Sequence, residues 1–372
     1  MHIFYCIFIV FIGSAFGAAE PAPVAKNGAV AQDGSARQTW GYVTVRPGAH
    51  MFWWLYYTTA SEHYETRPLV LWLQGGPGAS GTGFGNFAEI GPLDINKEPR
   101  NSSWVHRVNV LFVDNPVGSG FSYVEKDDLF VKNNSEISKD LVTLLKEFSL
   151  RLPEFQTTPF YIFSESYGGK MAVGLARQLQ KEITSKGIKL AFKGIALGDS
   201  WISPVDSVNS WSSYLFDLGE SAVRLAGKQV ALAVAAGNMS QATELWSEAE
   251  NVVDTESAGV NFYNILNPVK SSSLQTKSTN HLEFLFKRHV QNQKWRDGED
   301  DVLSKLMNGE IREKLRVVPA NVTWGGQSDK AHFNGYIICN GLEINVGVRP
   351  IVPADNPEAS IEMLKFITKY DQ

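Results

Sequence analysis

Four short apolar runs, Leu69–Leu73, 108–113, 160–163 and 194–197, each end in a cluster of Gly, Pro, Asp or Ser. They are too short for helices and apolar at nearly every position, not at every second one. That pattern fits strands covered on both faces, the condition of a parallel sheet between helices. Between the second and third runs, Ile137, Leu141, Leu144, Leu145 and Phe148 recur at helical spacing and supply the crossover helix that parallel strands need. Upstream, residues 42–45 and 51–57 flank the turn signal Arg46-Pro47-Gly48 and predict a hairpin, with order beginning at Trp40. The first half therefore reads as α/β.

After about Trp211 the texture changes to helical patterns, such as 221–236 and 301–317, which read as a largely helical cap over the carboxyl edge of the sheet. A separate helical domain is the alternative, although no linker-like composition divides the two. A last helix is expected over 356–370, capped by Asp355 with Pro357 in its first turn. The expected organisation is a signal peptide at 1–19, a flexible leader at 20–38, a core at 39–210, a cap at 211–317 and a shortened C-terminal part of the core at 318–372.

Composition narrows the function classes. The chain has 372 residues, 44% hydrophobic and 20% charged, with a formal net charge of −5. Without a basic cluster this argues against nucleic-acid binding. Residues 3–12 are uninterruptedly apolar and run into Gly13, Ser14, Ala15, Gly17, Ala18 and Ala19. The run is too short to span a bilayer and has the layout of a secretory signal cleaved near Gly17 or Ala19, with a buried N-terminal strand as the alternative. No later segment has the length and apolarity of a membrane span. Sequons at Asn101, Asn133, Asn238 and Asn321 fit passage through the secretory pathway, to the outside or to a lysosome-like lumen. Of the two cysteines, Cys6 leaves with the signal, so Cys339 has no internal partner.

Two loops carry the chemistry. Ser166 lies in Ser164-Glu165-Ser166-Tyr167-Gly168-Gly169, after an apolar strand and before a helical stretch beginning near Lys170. This is the setting in which a serine is thrust above a parallel sheet as a nucleophile, here with Ser164 where glycine is usual and some strain expected at that position. Gln74-Gly75-Gly76-Pro77-Gly78-Ala79-Ser80-Gly81 follows the first buried strand. It contains the dinucleotide pattern Gly76-x-Gly78-x-x-Gly81, but no clean helical stripe follows to face a pyrophosphate. The same glycines serve to aim bare backbone N–H groups at a developing oxyanion.

Together, Gln74-Gly75-Gly76-Pro77-Gly78, Gly85-x-Phe87-x-Glu89-x-Gly91-Pro92, Asp114-x-Pro116-Val117-Gly118-x-Gly120-Phe121-Ser122 and Glu165-Ser166-Tyr167-Gly168-Gly169 resemble the serine carboxypeptidase family of the α/β-hydrolase fold. Gly198-Asp199-Ser200-Trp201-Ile202-Ser203-Pro204 and the glutamine at position 74 are similar to its retinoid-inducible branch. The likeness runs from about Trp40 to Asp329 and returns at 352–355. It implies removal of C-terminal residues from peptides or proteins in the acid range, with no metal and no cofactor, and it sets no oligomeric state. By resemblance Ser166 is the nucleophile, Gly76 and Tyr167 furnish the oxyanion N–H groups, and Gln74, Glu89 and Glu165 receive the substrate carboxylate. Two carboxyl groups brought together do not both ionise cheaply, so one keeps a proton and donates a hydrogen bond to that carboxylate.

The resemblance also predicts a later Asp and His, and neither is evident. Pro350 stands at the histidine position, in Gly347-Val348-Arg349-Pro350-Ile351-Val352-Pro353. His281 and His289 fall in the expected cap, His332 reads as a loop residue, and Asp329 and Asp355 are the nearest acids. A strand, acid loop, helix, strand and base loop need roughly 35 residues at usual lengths. Residues 327–349 number only 23. The expectation is a family member whose hydrolytic cycle is incomplete as written, through a skipped exon, an imperfect gene model or a shortened paralogue. Low stability follows from the missing sheet cover. The alternative is a secreted non-catalytic protein that binds peptide C-termini or a partner.

Overall fold

The computed structural model describes residues 36–61, 63–200, 202–214, 220–256, 299–326 and 356–370. The expected signal peptide and all but the last three residues of the leader lie outside them. β1 (Gln38–Arg46) and β2 (Ala49–Tyr56) form the expected hairpin. β1 starts before Trp40 because Gln38 is already buried, its Oε1 accepting the Trp54 indole N–H at 2.9 Å.

β3 (Leu69–Leu73), β4 (Asn109–Val113), the two-residue β5 (Tyr123–Val124), β6 (Pro159–Glu165) and β7 (Ala191–Gly198) complete one sheet. Its order is β1-β2-β4-β3-β6-β7, with β5 beside β2; β4, β3, β6 and β7 run parallel, as their apolar runs predict. Successive side chains point to opposite faces. Leu69, Leu71 and Leu73 therefore pack with Leu111, Phe160 and Ile162 under α1 (Asn134–Arg151) and α2 (Tyr167–Thr184). Val70 and Trp72 pack with Val110, Phe112 and Phe163 on the other face. α1 carries the expected stripe Ile137, Leu141, Leu144, Leu145 and Phe148, and starts where Asn133 Oδ1 accepts Glu136 N at 3.0 Å.

α3 (Pro204–Tyr214), α4 (Glu220–Ala235) and α5 (Met239–Glu256) share a small core of Val208, Ala226, Val230 and Ala249. α6 (Glu299–Leu306) continues through the wide turn Met307–Ile311 into Arg312–Leu315. Residues 301–317, assigned above to the cap, in fact cover the second face of the sheet. Leu303, Met307, Ile311 and Leu315 bury there, and Trp40 Nε1 donates to Leu315 O at 2.8 Å.

α7 (Pro357–Thr368) docks on the same face through Leu364, and the Trp104 indole N–H donates to Ser360 Oγ at 2.9 Å. Its cap is Asn356, whose Oδ1 accepts Ala359 N at 3.1 Å; Asp355, the expected cap, lies outside the described residues. Among the described residues no helix is long and apolar enough to cross a membrane.

The stretch after Gly81 differs from expectation. It is a wide-turn helix, Gly81–Ile90, with eight of its ten residues buried. Burial on almost every side leaves no amphipathic stripe to read, and its glycines are demanded by packing. A Cβ at Gly85 would stand 2.4 Å from Trp72 Nε1, and one at Gly81 2.4 Å from Val113 O.

Candidate active site

The chain leaves β3 toward β4 and leaves β6 toward β7, on opposite sides of the adjacent β3–β6 pair. A crevice opens beyond the carboxyl ends of such a pair, where open α/β sheets place ligands. Residues 74–80 rise from β3 on one side of it, and Glu165 and Ser166 rise from β6 on the other.

Ser166 has φ 50° and ψ −127°, a conformation that L-residues rarely adopt. Strain of this kind costs roughly 1–3 kcal/mol and persists only where surroundings enforce it. Here Ser166 N donates to Gly198 O and Gly169 N to Ser166 O, both at 3.0 Å. The strain expected at Ser164 thus sits on the serine itself. Ser164 is an ordinary buried strand residue paired with Leu73 and Leu197.

The neighbouring glycines explain the closeness of the turn. A Cβ on Gly75 would meet Ser166 Cβ at 2.8 Å and its Oγ at 3.2 Å, and one on Gly168 would meet Leu73 O at 2.3 Å. The glycine loop and the serine are therefore in contact. Gly76 follows with φ 115°, open only to glycine. Tyr167 opens α2, where the helix supplies no carbonyl to its N–H.

Gln74, Glu89 and Glu165 come from a strand end, a helix and a second strand end, and they meet. Gln74 Nε2 donates to Glu89 Oε1 at 3.0 Å and to Glu165 Oε1 at 2.6 Å. One amide nitrogen thereby holds two carboxyl groups on the crevice side of β3 and β6. Trp72 Nε1 donates to Gln74 Oε1 at 2.8 Å, which sets the amide with its nitrogen toward the glutamates. Sequence reasoning missed Trp72, since an indole in an apolar strand reads as core.

Asp114 is the first residue of the Asp114-x-Pro116-Val117-Gly118 motif. It is fully buried and accepts hydrogen bonds from Ser80, Thr82 and Phe121. Burial raises its carboxyl above the usual range, and the hydrogen bonds from Ser80, Phe121 and Thr82 oppose that rise without cancelling it. A carboxylate at the start of helix Gly81–Ile90 occupies the place a pyrophosphate would need, which argues further against the dinucleotide reading.

Asp329, His332, Pro350 and Asp355, with His281 and His289, lie outside the described residues. Of the sequon asparagines, Asn101, Asn238 and Asn321 are exposed and Asn133 is half-buried at the cap of α1.

The family described as serine carboxypeptidase matches residues 28–341. The retinoid-inducible serine carboxypeptidase of Homo sapiens is 50% identical over 309 residues, which cover 80% of this chain and 67% of that protein. A serine carboxypeptidase-like protein of Arabidopsis thaliana is 40% identical, covering 80% of this chain and 68% of its own length. A prohormone-processing carboxypeptidase from Saccharomyces cerevisiae superposes with a TM-score of 0.66 at 18% identity, over 82% of this chain and 68% of that one. The chain thus spans about two-thirds of the length of these relatives.

Proposed function

Because the chain belongs to the serine carboxypeptidase family, we propose that it receives the C-terminal carboxylate of a peptide or protein at Gln74, Glu89 and Glu165 and presents the last peptide bond to Ser166. The observation that carries this reading is the single Gln74 nitrogen bonded to both glutamates beside the serine turn. A protonated carboxyl in that pair donates to substrate carboxylate, so binding weakens as pH rises and the shared proton leaves.

In the proposed reaction Ser166 Oγ attacks the scissile carbonyl and loses its proton to a base. The oxyanion lies against the N–H groups of Gly76 and Tyr167. The C–N bond breaks, the departing amino acid takes a proton, and water hydrolyses the acyl-enzyme. Neither the base nor its orienting acid is evident in residues 329–353, where Pro350 stands at the position of the family's histidine. Sequencing the transcript across those codons establishes whether Gly-His precedes Val352-Pro353.

Labelling with a fluorophosphonate tests the reading. A competent site labels at Ser166 and the label is lost in Ser166→Ala. A chain that binds peptide acids without labelling is instead a non-catalytic C-terminus binder. We further place the protein in the secretory pathway, with glycans at Asn101, Asn133, Asn238 and Asn321. A mass decrease on enzymatic deglycosylation of secreted protein checks this, and an unchanged mass argues against it.

A further inference from the structure

Asp114 stands at the carboxyl end of β4 with four donors on its two oxygens. Ser80 Oγ at 2.6 Å and Thr82 N at 3.0 Å donate to Oδ1, and Thr82 Oγ1 and Phe121 N, both at 2.8 Å, donate to Oδ2. Four hydrogen bonds from three residues fix both oxygens of this buried side chain in one orientation. Ser80 Oγ in turn accepts Gly83 N and Trp324 Nε1, both at 3.0 Å. None of these donors belongs to Gln74, Glu89, Glu165 or Ser166.

Ser80 and Thr82 are the cap and the second residue of helix Gly81–Ile90, which carries Glu89. At the far end Arg100 Nε donates to Gly91 O at 3.1 Å and its Nη2 to Phe87 O. A carboxylate thus faces the amino end of the helix and a guanidinium its carboxyl end, the polarity a helix dipole favours. The helix is pinned at both ends and also bears on the subsite at its middle. Gly85 lies so close to Trp72 and Gln74 that a Cβ there would stand 2.4 Å from Trp72 Nε1 and 3.0 Å from Gln74 Oε1. Any slide of the helix displaces Glu89 and presses on Gln74 together.

We propose that Asp114 is a positioning residue for carboxylate recognition, setting through helix Gly81–Ile90 where Glu89 meets Gln74. This rests on the reading of Gln74, Glu89 and Glu165 as the carboxylate subsite. A merely structural role would change stability and leave ligand preference alone.

The test measures binding of N-acetyl-phenylalanyl-leucine and of its C-terminal amide to the full chain, in a Ser166→Ala background that prevents turnover. The readout is the ratio of the two affinities. Asp114→Asn is expected to lower the ratio about tenfold and Thr82→Val about threefold, since small misplacements of binding groups have effects of this order. Asp140→Asn alters another buried carboxylate, carried by α1 and bonded to Arg46 at the end of β1, and is expected to leave the ratio unchanged while altering stability. A folded Asp114→Asn with the parent ratio overturns the proposal, as does an equal loss in Asp140→Asn. If Asp114→Asn does not fold, an unchanged ratio in Thr82→Val overturns it. If the parent shows no preference for acid over amide, the subsite reading itself falls, and this inference with it.

Discussion

Two glycines of α2 measure how firmly the serine turn is clamped to the sheet. A methyl group added at Gly168 would place its carbon 2.3 Å from Leu73 O, whereas at Gly174 the nearest atom is Ser138 Oγ at 2.6 Å. Each Gly→Ala change gains at most about 1 kcal/mol of helix propensity. At Gly168 the obstacle is main chain of β3, held between β4 and β6. Ordinary carbon contacts lie at about 3.5–4.0 Å, so helix and strand must part by roughly 1 Å. Overpacking typically costs about 1–3 kcal/mol, and the upper end applies where backbone must yield, leaving a net loss near 2 kcal/mol. At Gly174 the obstacle is a hydroxyl that donates to Asn134 O at 2.8 Å and can rotate aside. That loses one hydrogen bond, about 1 kcal/mol, which offsets the helical gain. Thermal unfolding followed by tryptophan fluorescence should show Gly168→Ala melting roughly 3 °C below wild type and Gly174→Ala close to it. Equal melting temperatures for the two variants would refute the argument that the β3 carbonyl clamps the turn.

Three further outcomes follow from other contacts. Ser360→Val leaves the buried Trp104 indole N–H without its acceptor and should cost about 1–3 kcal/mol in denaturant unfolding; a neutral result would mean that water or another group takes the bond. Gln74→Leu removes the donor shared by Glu89 and Glu165, and should abolish the preference for peptide acids over amides in the binding assay. Burial raises the Asp140 carboxyl above its ordinary range, with Arg46 pulling the other way. A folded state that holds a proton more tightly than the unfolded chain gains stability as pH falls through the folded value toward the unfolded one. The melting difference between wild type and Asp140→Asn should therefore move in favour of wild type from neutral pH toward that range, and a flat or reversed trend counts against it.

Much of this was legible in the chain. Strands buried on both faces announce themselves as apolar runs, and the serine turn and glycine loop sit where such strands end. Glu89 and Glu165 were grouped by resemblance, and their meeting on one amide nitrogen is visible only in three dimensions. Helix Gly81–Ile90 escaped notice because burial all round erases the periodicity that reveals helices. For residues 301–317 the periodicity showed an apolar stripe without saying which surface it covers. Asp355 and Asn356 are both good capping residues, and only geometry separates neighbours in sequence. The indole of Trp72 and the carboxylate of Asp114 act through bonds to residues that pattern does not link to them.

The second face of the sheet has a consequence for how the molecule is made. Trp40 bonds to Leu315, Ser80 to Trp324 and Trp104 to Ser360, partners separated by 275, 244 and 256 residues. A ribosome adding roughly 5–20 residues per second needs on the order of tens of seconds to deliver them. Throughout that interval Trp72, Trp104 and Phe112 wait beside a growing chain with part of their cover not yet synthesised. The aromatic face of the sheet is therefore closed only when α6 and α7 arrive, so its burial is the last step of assembly and not the first.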